Sequence, residues 1–401
     1  MKKYILIILC CLTSFPLWSY NVNMIVEHYS VDQGLPNNTV NCTLKDRDGF
    51  IWFGTWYGLC CFDGVKFKTF NKQEHDSDVP PRKIQRIVED KNGYIWVKTI
   101  DRKLYVFNKV TECFHAVYDD MKNYSENIQV IKLQNTAEGD VLLLTKDKNL
   151  LLAGVDEKGQ VTIKILFDSR NEINKHDYTL KHHVLCETEE YISWIGTDYK
   201  VAAVHKGSEL ASRPADFITS KINSGDKDSF TSFFEDGRKV WVGDRAGIFY
   251  SIDVRTGLVN RYVLSEIKGA ISNLLVTPAG YVYLSVAGQG TYEYDLAERR
   301  LQKINTEMND AMVTHAFIDQ YDKIWFHENE KALIYYDPLN HTAKRFPFTM
   351  FGKITTLYSE DAGERGLFFL SPAGEAWLFD RKHAEMVYIC LLYTSPSPRD
   401  A

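Results

Sequence analysis

The sequence predicts an all-β chain folded as a β-propeller of four-stranded blades, and three observations point there. A turn-then-strand stretch, DRDGFIWFGT at 46–55, returns as DKNGYIWVKT (90–99), YISWIGTD (191–198), DGRKVWVGD (236–244) and DKIWFHE (322–328). Aligned on one anchor position, the repeats give Trp52, Trp96, Leu142, Trp194, Trp241, Tyr283, Trp325 and Phe369, at gaps of 44, 46, 52, 47, 42, 42 and 44 residues. The third observation is an aromatic content of 13%, with 23 Tyr and 22 Phe, a bias that suits strands.

A period in the forties built of short strands is that of a propeller blade. One four-stranded sheet cannot cover both of its faces, whereas blades stacked about an axis give each sheet two apolar neighbours and short edges. The anchor is expected to wedge between adjacent blades. Leu142 and Phe369 show that bulk matters there more than an indole. An array of β-sandwiches is the competing architecture, but it demands no single aromatic register. Seven or eight blades are visible, so either eight close one ring or seven close and the last opens a second.

Turn chemistry divides each unit. In the first, Val40–Leu44 reads as the inner strand, Asp46 to Gly49 as a turn, Phe50–Gly54 as the second strand, Thr55 to Gly58 as the next turn and Leu59–Phe62 as the third strand. Asp63-Gly64 is a tight hairpin signal, because glycine tolerates positive φ and aspartate bonds its own backbone; Lys66–Phe70 closes the unit. The second unit reads Ile84–Val88, Asp90–Gly93, Tyr94–Lys98 and Lys103–Phe107. The sixth gives Asn273–Val276, a turn through Gly280, Tyr281–Ser285 and Thr291–Tyr294.

The ends read differently. In MKKYILIILCCLTSFPLWSYNVNM two lysines precede a short apolar run and then small polar residues near Ser19. That layout is expected of a secretory signal peptide over 1–19 and is too short for a comfortable membrane span. Residues 390–400, CLLYTSPSPRD, follow one reading frame of a transposase-based sequencing adaptor codon by codon. Natural sequence is therefore expected over 24–389 as propeller repeats, with 390–401 non-native.

Composition excludes some chemistry. The net charge is −6 with no basic run, which argues against nucleic-acid contacts. Cys42, Cys60, Cys61, Cys113 and Cys186 show neither a disulfide framework nor zinc spacing. No nucleophile elbow, phosphate loop or zincin motif occurs, so no catalytic residue, cofactor or metal is expected. Gln289 in Ala287-Gly288-Gln289-Gly290 reads as a hairpin turn, and His182-His183 would point to opposite faces of a strand. The carboxylates at the first turn of each unit, Asp46, Asp90 and Asp236, are expected to bond their own backbone.

The turns joining strands two and three vary between units, and variable loops on a rigid scaffold are where binding lives. They carry Trp56-Tyr57, Ile100-Asp101-Arg102, Lys146-Asp147-Lys148, Asp198-Tyr199-Lys200, Asp244-Arg245, Gln289 and Glu328-Asn329. The candidate ligand-binding set is Trp56, Tyr57, Asp101, Arg102, Tyr199, Arg245 and Gln289. Trp56 and Tyr199 would stack on sugar rings, and Arg102 and Arg245 would grip a carboxylate or sulfate bidentately.

The stretch HYSVDQGLPNNTVNCTLKDRDGFIWFGTWYGLCCFDGVKFKTF (28–70) resembles the first blade of two-component-regulator propellers. Gly34-Leu35-Pro36, Asp46, Gly49, Trp52, Gly54-Thr55, Gly58-Leu59 and Asp63-Gly64 match that family's pattern position by position; LLLTKD at 142–147 and LFFLSP at 367–372 depart from it. The resemblance implies the periplasmic sensor of a hybrid two-component system in a glycan-foraging bacterium. Its ligand would be an oligosaccharide, its working form a homodimer, and its membrane helix, kinase and DNA-binding parts would lie outside this chain. Two other functions stay open: a secreted propeller lyase or glycosidase using Asp101, Asp198, Asp244 or Glu328, and a protein-binding scaffold.

Overall fold

A computed structural model describes residues 29–389 except 71–80, 122–128, 169–179, 197–200, 208–229, 305–312, 330, 352–357, 362–365 and 371–375. The expected signal peptide, Asp198, Tyr199, Lys200, the adaptor-like tail and the side chains of His182 and His183 lie outside the described residues. The chain divides into two compact units, one of residues 29–350 and one of residues 1–28 with 351–401. The larger holds seven antiparallel sheets in chain order. Six have four strands and the fourth has three among the described residues. The smaller unit holds one four-stranded sheet, from Tyr358–Asp361 to Glu385–Ile389. There Phe351 stands edge-on to Trp377 at 4.8 Å.

Blade one shows how sequence becomes sheet. Its strands are Val40–Lys45, Ile51–Thr55, Leu59–Phe62 and Phe67–Phe70, each paired with the next. The second strand thus runs one residue later than the sequence reading, to Thr55. That hydroxyl donates to Gly58 O at 2.8 Å and accepts from Gly58 N, so it is both strand end and turn clamp. The last strand starts at Phe67 because Asp63 Oδ1 takes the amides of Val65 and Lys66.

All eight anchors fall in the second strand of a sheet and are buried, none more than 3% exposed. Strand alternation sends neighbours to opposite faces. On blade two Val97 joins Trp52, Leu59 and Phe70 of blade one, while Trp96 joins Leu133, Val141 and Leu143 of blade three. Similar shared cores join blades three and four, four and five, five and six, and six and seven. Each blade thus covers its neighbour's open face, as the period implied.

The first-turn aspartates hold more than their own backbone. Asp46 Oδ1 accepts from Asp48 N and Phe50 N, and its Oδ2 accepts from Trp52 Nε1 at 2.8 Å. Asp90 treats Asn92, Tyr94 and Trp96 alike, and Asp236 does so for Arg238, Lys239 and Trp241. On three other blades, with anchors Leu142, Trp194 and Tyr283, a threonine takes the turn: Thr136, Thr188 and Thr277 clamp it through their hydroxyls.

Candidate functional site

Strand one runs antiparallel to strand two, so its start lies beside the turn joining strands two and three: Val40 pairs with Thr55 and Ile84 with Thr99. Here the backbone is latched from blade to blade. Trp56 N donates to Thr39 O, Lys83 N to Trp56 O, Ile100 N to Lys83 O, and Val130 N to Arg102 O. Immediately inside this rim every first strand of blades one, two, five, six and seven carries a bulge, between Val40 and Cys42, Ile84 and Arg86, Phe230 and Ser232, Ile271 and Asn273, and Val313 and His315. A bulge re-aims side chains and breaks regular pairing. Asn41 Nδ2 accordingly donates across to Ile84 O, and Thr231 Oγ1 to Ile271 O. These bulged residues escaped the sequence reading, because each bulge directly follows the strand's first pair, where too little alternation precedes it to show the change of phase.

The latch brings Trp56 and Tyr57 of blade one together with Asp101 and Arg102 of blade two. Trp56 and Tyr57 are exposed, and the Lys83 ammonium stands over the Trp56 ring at 5.2 Å. Asp101 Oδ1 takes the Thr99 hydroxyl at 2.5 Å and faces Lys103 at 3.6 Å. Arg102 sits at φ 67° and is exposed.

Arg245 and Gln289 belong to a second group, on blades five and six, around residues 264–270. Gln289 grips that loop, donating to Glu266 O at 3.1 Å and accepting from Lys268 N at 2.7 Å. The turn after Arg245 packs closely on it: a Cβ on Gly247 (φ +83°) would meet Ile267 O at 3.0 Å. Two of the carboxylates open to a catalytic reading are occupied structurally. Buried Asp244 accepts from Ala246 N and Ile248 N, and buried Glu328 holds Arg345 at 2.9 Å.

On the far side of the bulge from the turn lies one register that changes from blade to blade: Gly54, Lys98, Gly243, Ser285 and His327, each opposite the residue after the bulge. Glycine is required where the next blade starts with isoleucine, since a Cβ on Gly54 would lie 2.6 Å from Ile84 and one on Gly243 2.7 Å from Ile271. Blade two places a lysine there. Lys98 is 5% exposed. Its Nζ donates to Gln85 Oε1, and no carboxylate pairs with it among the described residues. Burial and the Arg102 charge hold its ammonium below the usual lysine range. A buried cation beside a second cation, at a rim that also carries two exposed aromatic rings, is suited to an anionic group on a ring-shaped ligand.

The opposite end of the blades is built for stability. The carboxylates of Asp46, Asp48 and Glu89 converge, and Lys109 Nζ fills the point they share, at 3.1, 2.8 and 2.8 Å. Lys206 bridges Glu138 and Glu187 in the same way. Blade five has Val254 after its third strand, and there Glu235 keeps a buried Oε2 with no hydrogen-bond partner among the described residues. Burial, with Glu187 nearby, pushes its carboxyl up to about 7. A carboxyl raised from 4.5 stabilises fully below the lower value, and that contribution is lost as pH climbs through 7. Glu235→Gln is expected to gain about 1–3 kcal/mol more over wild type near pH 8 than near pH 4; equal gains in urea unfolding at both would contradict this.

No helix among the described residues is long and apolar enough to cross a membrane. Residues 34–57 match the family model of the two-component regulator propeller. No curated protein matches the chain. Among solved structures, the Dos1 propeller is 13% identical over 84% of this chain and 91% of its own, with a TM-score of 0.53. Saccharomyces cerevisiae Sqt1 is 11% identical over 85% and 96%, with a TM-score of 0.51. The extracellular domain named for hybrid two-component system BT3049 of B. thetaiotaomicron is 15% identical over 90% of this chain and 54% of its own, at a TM-score of 0.39. The chain spans 54% to 61% of the length of the three B. thetaiotaomicron extracellular domains it matches. It is a β-propeller that carries a two-component regulator propeller repeat at residues 34–57.

Proposed function

We propose that this chain is the exported, ligand-sensing part of a hybrid two-component sensor kinase, and that it detects an oligosaccharide released from a polysaccharide. The observation that carries the reading is the family match at 34–57. The reading places the propeller in the periplasm and the kinase outside this chain, with the sensor acting as a homodimer and its output controlling polysaccharide-utilisation genes. Binding would act by differing in affinity between two arrangements of that dimer. No bond is made or broken in the propeller.

The grouping of Trp56, Tyr57, Lys98 and Arg102 supports an acidic oligosaccharide, one bearing a uronate or sulfate. The rings would cover a sugar face, and the two cations would meet its charge. Titration calorimetry with neutral, uronate-containing and sulfated oligosaccharides tests this. The charged classes are expected to bind and the neutral ones to bind at least about tenfold more weakly. Arg102→Ala is expected to weaken binding by about tenfold or more, the cost of losing charge-assisted hydrogen bonds. Unchanged affinity in that variant would remove this site. Sequencing the source DNA past codon 389 tests the wider reading: a frame without a membrane helix and kinase would defeat it.

A further inference from the structure

A cavity of about 320 Å³ lies between blades six and seven, at the end carrying the turns between strands one and two. Tyr281, Tyr283, Tyr321, Leu339 and His341 line it, and Glu293 stands at its wall. Glu293 belongs to the third strand of blade six (Gly290–Asp295) and pairs directly across from the anchor Tyr283. On other blades that cross-strand partner is Cys61, Val106 or Ser251. A carboxylate at this place is particular to blade six among those pairs.

The carboxylate is 5% exposed, and among the described residues its hydrogen bonds use one oxygen. Oε2 accepts from Tyr283 Oη at 2.8 Å and from Tyr336 Oη, on blade seven, at 3.2 Å. Tyr336 Oη is also 3.2 Å from His341 Nδ1. Burial and the Glu293 charge push both phenols above the usual tyrosine range, so they remain donors. No cation pairs with Glu293 among the described residues, and the one lysine in the wall, Lys323, is held by Asp337 at 2.7 Å.

A bridge between two phenols does not need a charge. A glutamine carbonyl would accept both hydroxyls without the cost of burying a carboxylate. The glutamate therefore implies a countercharge from outside the chain. Its second oxygen, three tyrosine rings and the apolar Pro278, Ala279 and Leu339 define what that partner looks like. We propose that this cavity binds a small organic cation, whose ammonium group pairs with Glu293 while its apolar body lies among Tyr281, Tyr321 and Leu339. Aromatic walls favour a cation over a neutral ligand of the same shape. The volume is at the small end of ligand pockets, which run from roughly 300 to 1,000 Å³. The site is separate from the rim of Trp56 and Arg102, and the inference does not depend on the sensor reading.

Benzylamine and benzyl alcohol, alike in body and differing in charge, make the test by ligand-observed NMR titration of the whole chain. Benzylamine is expected to bind saturably, and benzyl alcohol at least about tenfold more weakly. Glu293→Gln, with its fold checked by circular dichroism, is expected to bring benzylamine down to the level of the alcohol. Leu339 is 85% exposed, so Leu339→Trp leaves the fold intact and narrows the mouth; it is expected to weaken benzylamine binding as well. Equal binding of the two probes, no binding of benzylamine, or an L339W variant with wild-type affinity would each overturn the proposal. So would a folded E293Q variant that keeps the preference for the amine.

Discussion

Trp96→Ala is expected to destabilise the propeller by about 3–5 kcal/mol, the cost of emptying a large aromatic site in a packed core. Trp96 is fully buried between blades two and three, against Leu133, Val141 and Leu143. The truncation would remove that packing from both blades together. It would also orphan Asp90 Oδ2, which accepts from the indole at 2.9 Å in a buried turn. Trp96→Phe separates the two effects. It keeps most of the bulk and loses the hydrogen bond, so it should cost only about 1–2 kcal/mol. Urea unfolding followed by far-UV circular dichroism reads both. Equal losses for the two variants would mean that the indole hydrogen bond, rather than packing, holds the blade interface.

Lys109→Met is the second large effect, expected at about 3–5 kcal/mol near neutral pH. Lys109 Nζ meets Asp46, whose side chain is fully buried, and Glu89, which is nearly so. Without the ammonium buried Asp46 is left with no cation among the described residues, and Glu89 keeps only the half-exposed Arg47 at 3.1 Å. Burial pushes the Asp46 carboxyl up; the Trp52 indole, Lys109 and the Phe50 amide together outweigh it and hold it below the usual range. A depressed carboxyl stabilises above its ordinary value of 3.8, and that stability is lost as pH falls through the lower folded value. The gap between wild type and Lys109→Met should therefore narrow below about pH 4, where the carboxylates protonate in both. A variant with the wild-type midpoint at neutral pH would show that solvent already screens the trio.

Most of the fold was legible because the anchor is a packing necessity repeated once per blade. Trp52, Trp96, Trp241 and Trp325 share one register since each must fill the same gap between sheets, and Leu142 and Tyr283 could be aligned with them by spacing alone. The Asp46-type turn was legible only in part: its backbone duty follows from residue type, whereas its bond to the anchor six residues on needs the third dimension. Strand ends moved by one residue at Phe50 and Thr55, where turn clamp and strand end coincide. The rim was read by position, which named Trp56 and Arg102 but not their neighbours in the structure, Asn41, Gln85 and Lys98. Lys98 sits in the strand pattern where an apolar or glycine residue would raise no question. Glu293 was missed for the same reason, as one polar letter in a strand whose neighbour across the sheet happens to be a tyrosine.

The register of Gly54, Lys98, Gly243, Ser285 and His327 has a consequence for how such rings diversify. The latches beside it are made by main-chain atoms, which no substitution but proline removes. After a blade is duplicated, a single codon at this place changes what the rim presents without changing how the blades dock. The neighbouring residue sets the only toll, since an isoleucine next door, as at Ile84 or Ile271, leaves room for glycine alone. The chemistry of this rim is thus inherited in pairs of letters, one on each side of a seam, and two adjacent blades rather than one are the smallest unit that can change it.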